Sequence, residues 1–198
     1  MDTQFWDEMY RGRDQLFSGN PNGVLVAEIT GTPPGRALDI GCGEGGDARW
    51  LAGHGWQVTA MDIAPPALQR AAAAELDARV QWIRADLNIT SPPADAFDLV
   101  SAQYFPLPIR PDHTALRGLL AAVAPGGTLL FVGHDVAGMP PVLDNGLAPS
   151  DYYQPGEVAE LLDDTWTILI NDTRRRTVPA PAGSHHTHDT VLRAQRIR

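Results

Sequence analysis

The sequence contains no lysine and a single cysteine. All fifteen basic residues are arginine, and 24 acidic residues outnumber them, which gives a formal net charge of −9 at pH 7. A broad basic surface for duplex nucleic acid or an anionic membrane is therefore not expected. Cys42 has no second cysteine with which to form an intrachain disulfide, and this suits a reducing compartment.

Long apolar runs and a targeting leader are also missing. No apolar stretch is long enough to cross a bilayer, and no charged and then apolar leader opens the chain. Together with the cysteine count, these absences predict a cytoplasmic protein. The 198 residues, 43% of them hydrophobic, suffice for one sizeable core, so we expect one domain over residues 1–198.

Helix-like and strand-like segments alternate along most of the chain. This alternation predicts an α/β fold, a Rossmann-like doubly wound, mostly parallel seven-stranded sheet with an antiparallel carboxyl-terminal strand. The connection 174–189 is long, which favours an antiparallel pairing of the last two strands. Strands are predicted at 36–40, 56–61, 80–85, 97–102, 127–133, 166–171 and 190–195, and helices at 23–29, 47–54, 64–77, 113–123 and 155–163.

A glycine-dense turn follows the first predicted strand and precedes a helix. Gly41, Gly43 and Gly46 satisfy the spacing G-x-G-x-x-G, which by itself is typical of a nicotinamide or flavin site. Asp39 precedes the turn. A carboxylate at this place would not attract a negatively charged pyrophosphate, but it suits a positively charged ligand group. The alternative is that Asp39 only caps the turn by accepting backbone N–H groups.

Two more acids follow successive predicted strands. Asp62 ends the second strand, where a carboxylate can accept hydrogen bonds from both ribose hydroxyls. Asp86 follows the third strand and has no counterpart in the nicotinamide pattern. A lone aspartate is more often a helix cap, but three acids at one sheet edge predict a nucleoside site.

On these residues the chain resembles the class I S-adenosylmethionine-dependent methyltransferases. The amino-terminal segments 5–10 and 17–22 resemble, more narrowly, the small-molecule branch of tellurite-resistance and thiopurine methyltransferase-like proteins. The resemblance implies a lid over residues 1–30, a cofactor-binding core over 36–135, and sheet and acceptor-side loops over 136–198. It implies S-adenosyl-L-methionine as the cofactor and a small-molecule methyl acceptor, with Asp39, Gly41, Cys42, Gly43 and Gly45 around the methionine moiety, Asp62 on the ribose, Ile63 against the adenine, and Asp86 with Leu87 at the adenine edge.

Side chains near the expected methyl group are candidates for catalysis. His134 follows the fifth predicted strand and is a candidate general base, with a structural histidine at the sheet edge as the alternative. Tyr104 follows the fourth strand, and Trp6 and Tyr10 share one face of a further helix that is predicted at the amino-terminal end of the sequence. Their rings can stabilise a sulfonium by cation–π attraction, or else pack in the core.

Other polar clusters carry weaker hypotheses. His185, His186 and His188 invite a metal site, but histidines in a proline-rich loop are more often solvated or face a substrate, so no metal is predicted. The run 174–176 reads as a solvated hairpin end, and Cys42 reads as a small filler rather than a nucleophile. Two alternatives stay open, a nucleotide (NAD(P))-dependent oxidoreductase and a non-catalytic S-adenosylmethionine-binding regulator; the identity of the acceptor and the oligomeric state are not predicted.

Overall fold

One twisted sheet runs through most of the chain. The computed structural model describes residues 3–74, 78–143, 146–178 and 186–198. The seven strands lie in the order β3-β2-β1-β4-β5-β7-β6. Neighbouring strands from β3 to β5 are parallel, whereas β7 is antiparallel to both β5 and β6. The strands are β1 (Arg36–Ile40), β2 (Gln57–Asp62), β3 (Val80–Arg84), β4 (Phe97–Gln103), β5 (Val123–His134), β6 (Trp166–Arg175) and β7 (His188–Arg196).

Helices cover both faces of this sheet, as a doubly wound arrangement requires. Their apolar residues form two large buried clusters with the central strands. The central strands β1 and β4 are almost continuously buried, which explains why their sequences are apolar runs rather than alternating patterns. The helices are α1 (Thr3–Arg11), α2 (Gly23–Ile29), α3 (Gly46–Gly53), α4 (Pro65–Ala74), α5 (Thr114–Ala122) and α6 (Pro155–Glu160).

The predicted fold class is confirmed, and the differences concern the ends of elements. The predicted helix 64–77 extends over Pro65–Ala74, and residues 75–77 lie outside the described ranges. The strand predicted at 127–133 begins earlier, because β5 already starts at Val123, which pairs with Phe97 before the register shifts. The last two strands are longer than predicted because each adds residues at the end nearest their connection.

A buried carboxylate joins the amino-terminal part of the fold to the last two strands. Glu28 on α2 accepts hydrogen bonds from Arg174 on β6 at 2.5 Å and from Arg193 on β7 at 3.4 Å. The Glu28 side chain is 9% exposed, so both arginines compensate a charge that is largely removed from water. No helix in the described parts of the chain is long and apolar enough to span a bilayer.

Candidate active site

The glycine turn between β1 and α3 uses its backbone N–H groups internally. Gly41 and Cys42 donate to the Met61 carbonyl at 2.8 and 3.1 Å, and Gly43 donates to Asp62 Oδ2 at 2.8 Å. Gly41, Gly43 and Gly45 all have positive φ, which residues with a Cβ rarely adopt. The turn therefore presents a carboxylate-lined surface, with those three N–H groups already engaged.

Asp39 lies under this turn and is almost completely buried. The side chain is 2% exposed, and its carboxylate accepts the N–H of Ala48. Its Oδ2 atom has no hydrogen-bond partner among the described residues. Burial, together with the nearby charges of Asp47 and Asp62, raises the pKa of Asp39 well above its ordinary value. A cation beside Oδ2 would relieve both the burial of the charge and this repulsion.

Asp62 ends β2 and supports the turn from the neighbouring strand. Its Oδ2 accepts Gly43 N–H and its Oδ1 accepts Ala64 N–H, both at 2.8 Å. Burial raises the pKa of Asp62, and the backbone hydrogen bonds oppose that rise. Each carboxylate oxygen has a second lone pair, so these contacts leave Asp62 able to accept ligand hydroxyls.

The third predicted acid lies at the same edge but is more exposed. Asp86 follows β3 and accepts both the backbone N–H and the side-chain amide of Asn88 through Oδ1, at 2.9 and 2.8 Å. Leu87 is 5% exposed and belongs to the core, whereas Ile63 is half-buried directly after Asp62. The order of β3, β2 and β1 thus brings the three acids to one edge.

The first helix packs over the turn. Tyr10 is 3% exposed and clusters with Ala64, which precedes α4, and with Ala67 on α4, with Trp6 against them. A Cβ added to Gly43 would lie 2.9 Å from the Tyr10 hydroxyl. Trp6 and Tyr10 therefore have core contacts and also lie close to the predicted methionine position.

Glu44, which the sequence reading did not single out, holds this amino-terminal segment in place. Its carboxylate accepts the N–H of Leu16 at 3.1 Å and of Phe17 at 2.9 Å. It also pairs with Arg70 Nη1 at 2.9 Å, and Arg70 in turn donates to the Tyr10 carbonyl at 2.6 Å. A glutamate inside a buried glycine turn indicates that a partner for its charge lies nearby, because burying an unpaired charge is strongly destabilising.

A second missed carboxylate holds the next part of the same segment. Asp47 on α3 is 6% exposed and accepts both the backbone N–H and the side-chain amide of Asn22, at 2.6 and 2.8 Å. Burial raises the pKa of Asp47, and these two hydrogen bonds oppose the rise. Gly46 also lies against the segment, since a Cβ there would be 2.6 Å from the Asn20 carbonyl oxygen.

Two of the predicted cofactor residues also have packing roles. A Cβ on Gly45 would lie 2.5 Å from Trp82 Cη2, and a Cβ on Gly41 would lie 2.5 Å from Phe105 Cδ2.

Cys42 is 8% exposed, and burial with the charge of Asp39 raises the pKa of its thiol well above the ordinary value. A thiol of this kind is a poor nucleophile at neutral pH.

The two predicted catalytic residues lie side by side where β4 and β5 end. The rings of Tyr104 and His134 stack with centroids 4.4 Å apart. Tyr104 has φ 54°, a left-handed conformation that costs a residue with a Cβ roughly 1–2 kcal/mol. Burial, followed by His186 and Arg176, lowers the pKa of His134 to about 3. His134 is therefore neutral and weakly basic.

An ion pair from the β6–β7 hairpin completes this edge. Arg176 Nη1 lies 2.8 Å from Asp189 Oδ1, and the Asp189 side chain is 4% exposed. The Arg176 guanidinium also lies over the Tyr104 ring, 5.1 Å from its centroid. Burial and the Asp189 charge raise the pKa of the Tyr104 hydroxyl, which hydrogen-bonds Asp189. The prediction that the run 174–176 is a solvated hairpin end is wrong for Arg174 and Arg176, which are partly buried and each paired with a carboxylate, whereas Arg175 is exposed.

The histidine tract divides. His186 stacks on His134 with centroids 3.9 Å apart, whereas His188 is exposed and contacts Thr187 Oγ1 at 2.9 Å. His185 lies outside the described residues. Among the described residues, no group of three or more His, Cys, Asp or Glu side chains is arranged to hold a metal ion.

Comparison with known proteins shows what part of the chain is similar to. Residues 37–127 match the model of a methyltransferase domain. An uncharacterized methyltransferase of Mycobacterium bovis is 39% identical over 110 residues, which are 56% of this chain and 54% of that protein. The chain therefore spans about half the length of the first curated relatives that it matches.

A second relative and one solved structure extend the match along the chain. The 2-heptyl-1-hydroxyquinolin-4(1H)-one methyltransferase of Mycobacteroides abscessus is 29% identical over 177 residues, 82% of this chain and 76% of that protein. The N-methyltransferase NodS from Bradyrhizobium japonicum in complex with S-adenosyl-L-homocysteine superposes with a TM-score of 0.73 at 19% identity, covering 99% of this chain and 98% of that one, and so shares the fold. Residues 37–127 are therefore similar to a methyltransferase domain, and the chain as a whole shares the fold of the solved structure.

Proposed function

We propose that this protein transfers a methyl group from S-adenosyl-L-methionine to a small-molecule acceptor. One observation carries the cofactor assignment: the buried Oδ2 of Asp39 is unpartnered, beside a turn whose Gly41, Cys42 and Gly43 N–H groups are engaged. A dinucleotide pyrophosphate needs free N–H donors at such a turn. A ligand with an ammonium and a sulfonium suits buried carboxylates instead, which disfavours the oxidoreductase alternative.

Each predicted binding residue then has a role that its surroundings support. Asp39 faces the ammonium, Asp62 accepts the ribose hydroxyls, and Asp86 with Leu87 and Ile63 borders the adenine. The turn from Gly41 through Cys42 and Gly43 to Gly45 follows the methionine moiety. Trp6 and Tyr10 cover it, as part of a lid formed by the amino-terminal segment. When bound, the cofactor supplies a methyl group already activated by a positively charged sulfur.

The chain's own contribution to the reaction is then positioning and exclusion of water. Alignment of two reactants in a dry site can supply roughly 7–11 kcal/mol of a bimolecular barrier. Tyr104 and His134 border the place where the carboxyl ends of β4 and β5 meet the turn after β1, and so lie near the acceptor. The lid, held by Glu44 and Asp47, closes the opposite side.

A small-molecule acceptor is favoured by the relatives and by the charge of the chain. The relative from Mycobacteroides abscessus is named for a hydroxyquinolone, a small planar substrate. The net charge of −9 opposes nucleic acid as a substrate. The narrower likeness to the tellurite-resistance and thiopurine methyltransferase-like branch rests on segments 5–10 and 17–22 and stays a prediction.

Ligand-dependent thermal unfolding tests the cofactor assignment. We expect S-adenosylhomocysteine at 100 times its Kd to stabilise the protein by about 2.7 kcal/mol. For a chain of this length that corresponds to a rise in Tm of about 5–10 °C. NAD+ at the same concentration should leave Tm unchanged. A shift with NAD+ alone would contradict the proposal.

Substitution of Asp62 tests the placement of the site. Asp62→Ala should weaken S-adenosylhomocysteine binding at least about tenfold by calorimetry, because a hydrogen-bonded carboxylate contributes about 1.5–3 kcal/mol. The matched control is Asp172→Ala, which removes an exposed carboxylate on β6. Equal affinities in the two variants would show that the ribose does not bind at Asp62.

A further inference from the structure

The contacts of His134 determine which of its ring nitrogens carries the proton. Arg176 Nη1 lies 3.4 Å from His134 Nδ1. A guanidinium has only N–H donors and no acceptor, so His134 Nδ1 accepts this hydrogen bond. In a neutral imidazole the proton is then on Nε2, and that nitrogen is a donor.

The surroundings keep this imidazole neutral over the physiological range. His134 is half-buried between the rings of Tyr104 and His186, and the cation of Arg176 lies beside it. These contacts agree with the lowered pKa of about 3. Among the described residues, the titratable or charged groups that face His134 are Tyr104 after β4, Arg176 after β6, His186 before β7 and Asp189 on β7, with Asp135 next to it in sequence.

Tyr104 and Asp189, two other groups at this edge, are engaged with each other and with Arg176 in ways that leave them unsuited to remove a proton. The Tyr104 hydroxyl is bonded to Asp189, and its pKa is raised, so it keeps its proton at neutral pH. Asp189 also accepts the Arg176 hydrogen bond at 2.8 Å. Asp135 accepts the N–H of Ala137 at 2.9 Å through Oδ1 and is the nearest remaining carboxylate along the chain.

We infer that Arg176 is a positioning residue that fixes His134 as an Nε2–H donor, and that the methyl acceptor is an oxygen acid which arrives already ionised. The inference rests on the proposed methyl transfer and narrows its substrate class to phenols, N-hydroxy heteroarenes and carboxylic acids. An oxygen lone pair of the acceptor forms the new O–C bond while the C–S bond breaks and its electron pair stays on sulfur. Since the acceptor has no proton left to lose, the protein needs no base. The Nε2–H group of His134 orients the oxyanion.

Nitrogen-15 NMR of the histidine side chains in the full chain tests the tautomer directly. We expect the wild-type spectrum to show His134 as the neutral Nε2–H form from pH 5 to pH 8. Arg176→Met should raise the His134 pKa, because a neighbouring cation is removed, and should mix the two tautomers. Arg175→Met is the matched control and should leave the His134 signals unchanged. The double variant Arg176→Met/Asp189→Asn avoids an unpaired buried carboxylate if the single variant fails to fold.

A titration of His134 between pH 5 and 8 in the wild type, or a dominant Nδ1–H form, would overturn the inference. The same samples are tested for S-adenosylhomocysteine binding. If the wild type does not bind S-adenosylhomocysteine, the proposed function is wrong. Failure of the proposed function can therefore be distinguished from failure of the inference about His134.

Kinetics with a series of phenols of graded acidity test the acceptor class. We expect kcat/KM for each phenol to follow the ionised fraction of that phenol, with no further ionisation from the enzyme between pH 5 and 9. Arg176→Met should lower kcat by about tenfold or more, as loss of an oriented donor does, while the Kd for S-adenosylhomocysteine changes less than about twofold. An enzyme ionisation that is the same for all phenols and disappears in Asp135→Asn would identify Asp135 as a base and refute the inference.

Discussion

Glu44→Gln should release the amino-terminal segment from the glycine turn without unfolding the sheet. The wild-type carboxylate accepts Leu16 N–H, Phe17 N–H and an Arg70 N–H within 3.1 Å. A glutamine offers one oxygen in place of two, and its amide group repels the remaining donors. Arg70 then keeps its charge but loses its counterion.

The size of the effect follows from how deeply each partner is buried. Breaking a buried ion pair costs about 3–5 kcal/mol. The Arg70 side chain is 30% exposed and can recover water contacts, while the Glu44 side chain is 7% exposed. We therefore expect a cost of about 2–3 kcal/mol, concentrated in residues 3–22. Since 1.4 kcal/mol is a factor of ten, local opening should become roughly 30- to 150-fold more frequent.

Hydrogen exchange followed by mass spectrometry measures this opening peptide by peptide. Peptides from residues 3–20 should lose protection by that factor, and peptides from β1 and β4 should keep theirs. Cofactor affinity should fall in proportion to the closed fraction of the lid. The control is Asp95→Asn, which removes a 57% exposed partner of Arg196 and should cost less than about 1 kcal/mol. Wild-type protection over residues 3–20 in the Glu44→Gln variant would refute this account.

Three further outcomes follow from other contacts. The raised pKa of Asp39 implies that the ligand-free protein loses stability as pH rises from the ordinary range of aspartate through the raised value, by at most about 1.4 kcal/mol per pH unit for this group. Urea unfolding of Asp39→Asn should give a free energy of unfolding that depends less on pH than that of the wild type. The same pH dependence in both proteins argues against a raised pKa for Asp39. Gly43→Ala should cost roughly 1–2 kcal/mol because of its φ of 52° and the nearby Tyr10 hydroxyl, with part recovered in Gly43→Ala/Tyr10→Phe; calorimetry that finds no recovery excludes this contact as a cause. Glu28→Gln should lower Tm by several degrees, at a cost of about 1–3 kcal/mol, and an unchanged Tm would mean that Arg174 finds water instead.

The glycine turn and its acids could be predicted because their meaning is local. Asp39, Gly41 and Gly43 lie within five positions, and parallel strands bring Asp62 to the same edge whatever the rest of the fold does. Asp86 was predictable for the same reason. The alternation of helices and strands likewise predicted a doubly wound, mostly parallel sheet of seven strands.

The contacts that hold the amino-terminal segment and the pairing of Arg176 with Asp189 could not be predicted, because their partners are distant in sequence. Glu44 meets Leu16 across 28 positions and Arg70 across 26. The pairing of Arg176 with Asp189 depends on the register of the β6–β7 hairpin, in which Arg175 lies opposite His188. A triple-arginine run has no pattern that distinguishes its two partly buried members, Arg174 and Arg176, from the exposed Arg175.

The insertion of β7 between β5 and β6 has a consequence for biosynthesis. A nascent chain can form the parallel strands β1 to β5 while it is still attached to the ribosome, but β6 has no neighbour to pair with until residues 188–196 have left the exit tunnel. During that interval the edge of β5 is unpaired, and it can associate with strands of other chains. The exit of residues 188–196 from the tunnel is therefore the step at which Arg176 and His134 can first meet.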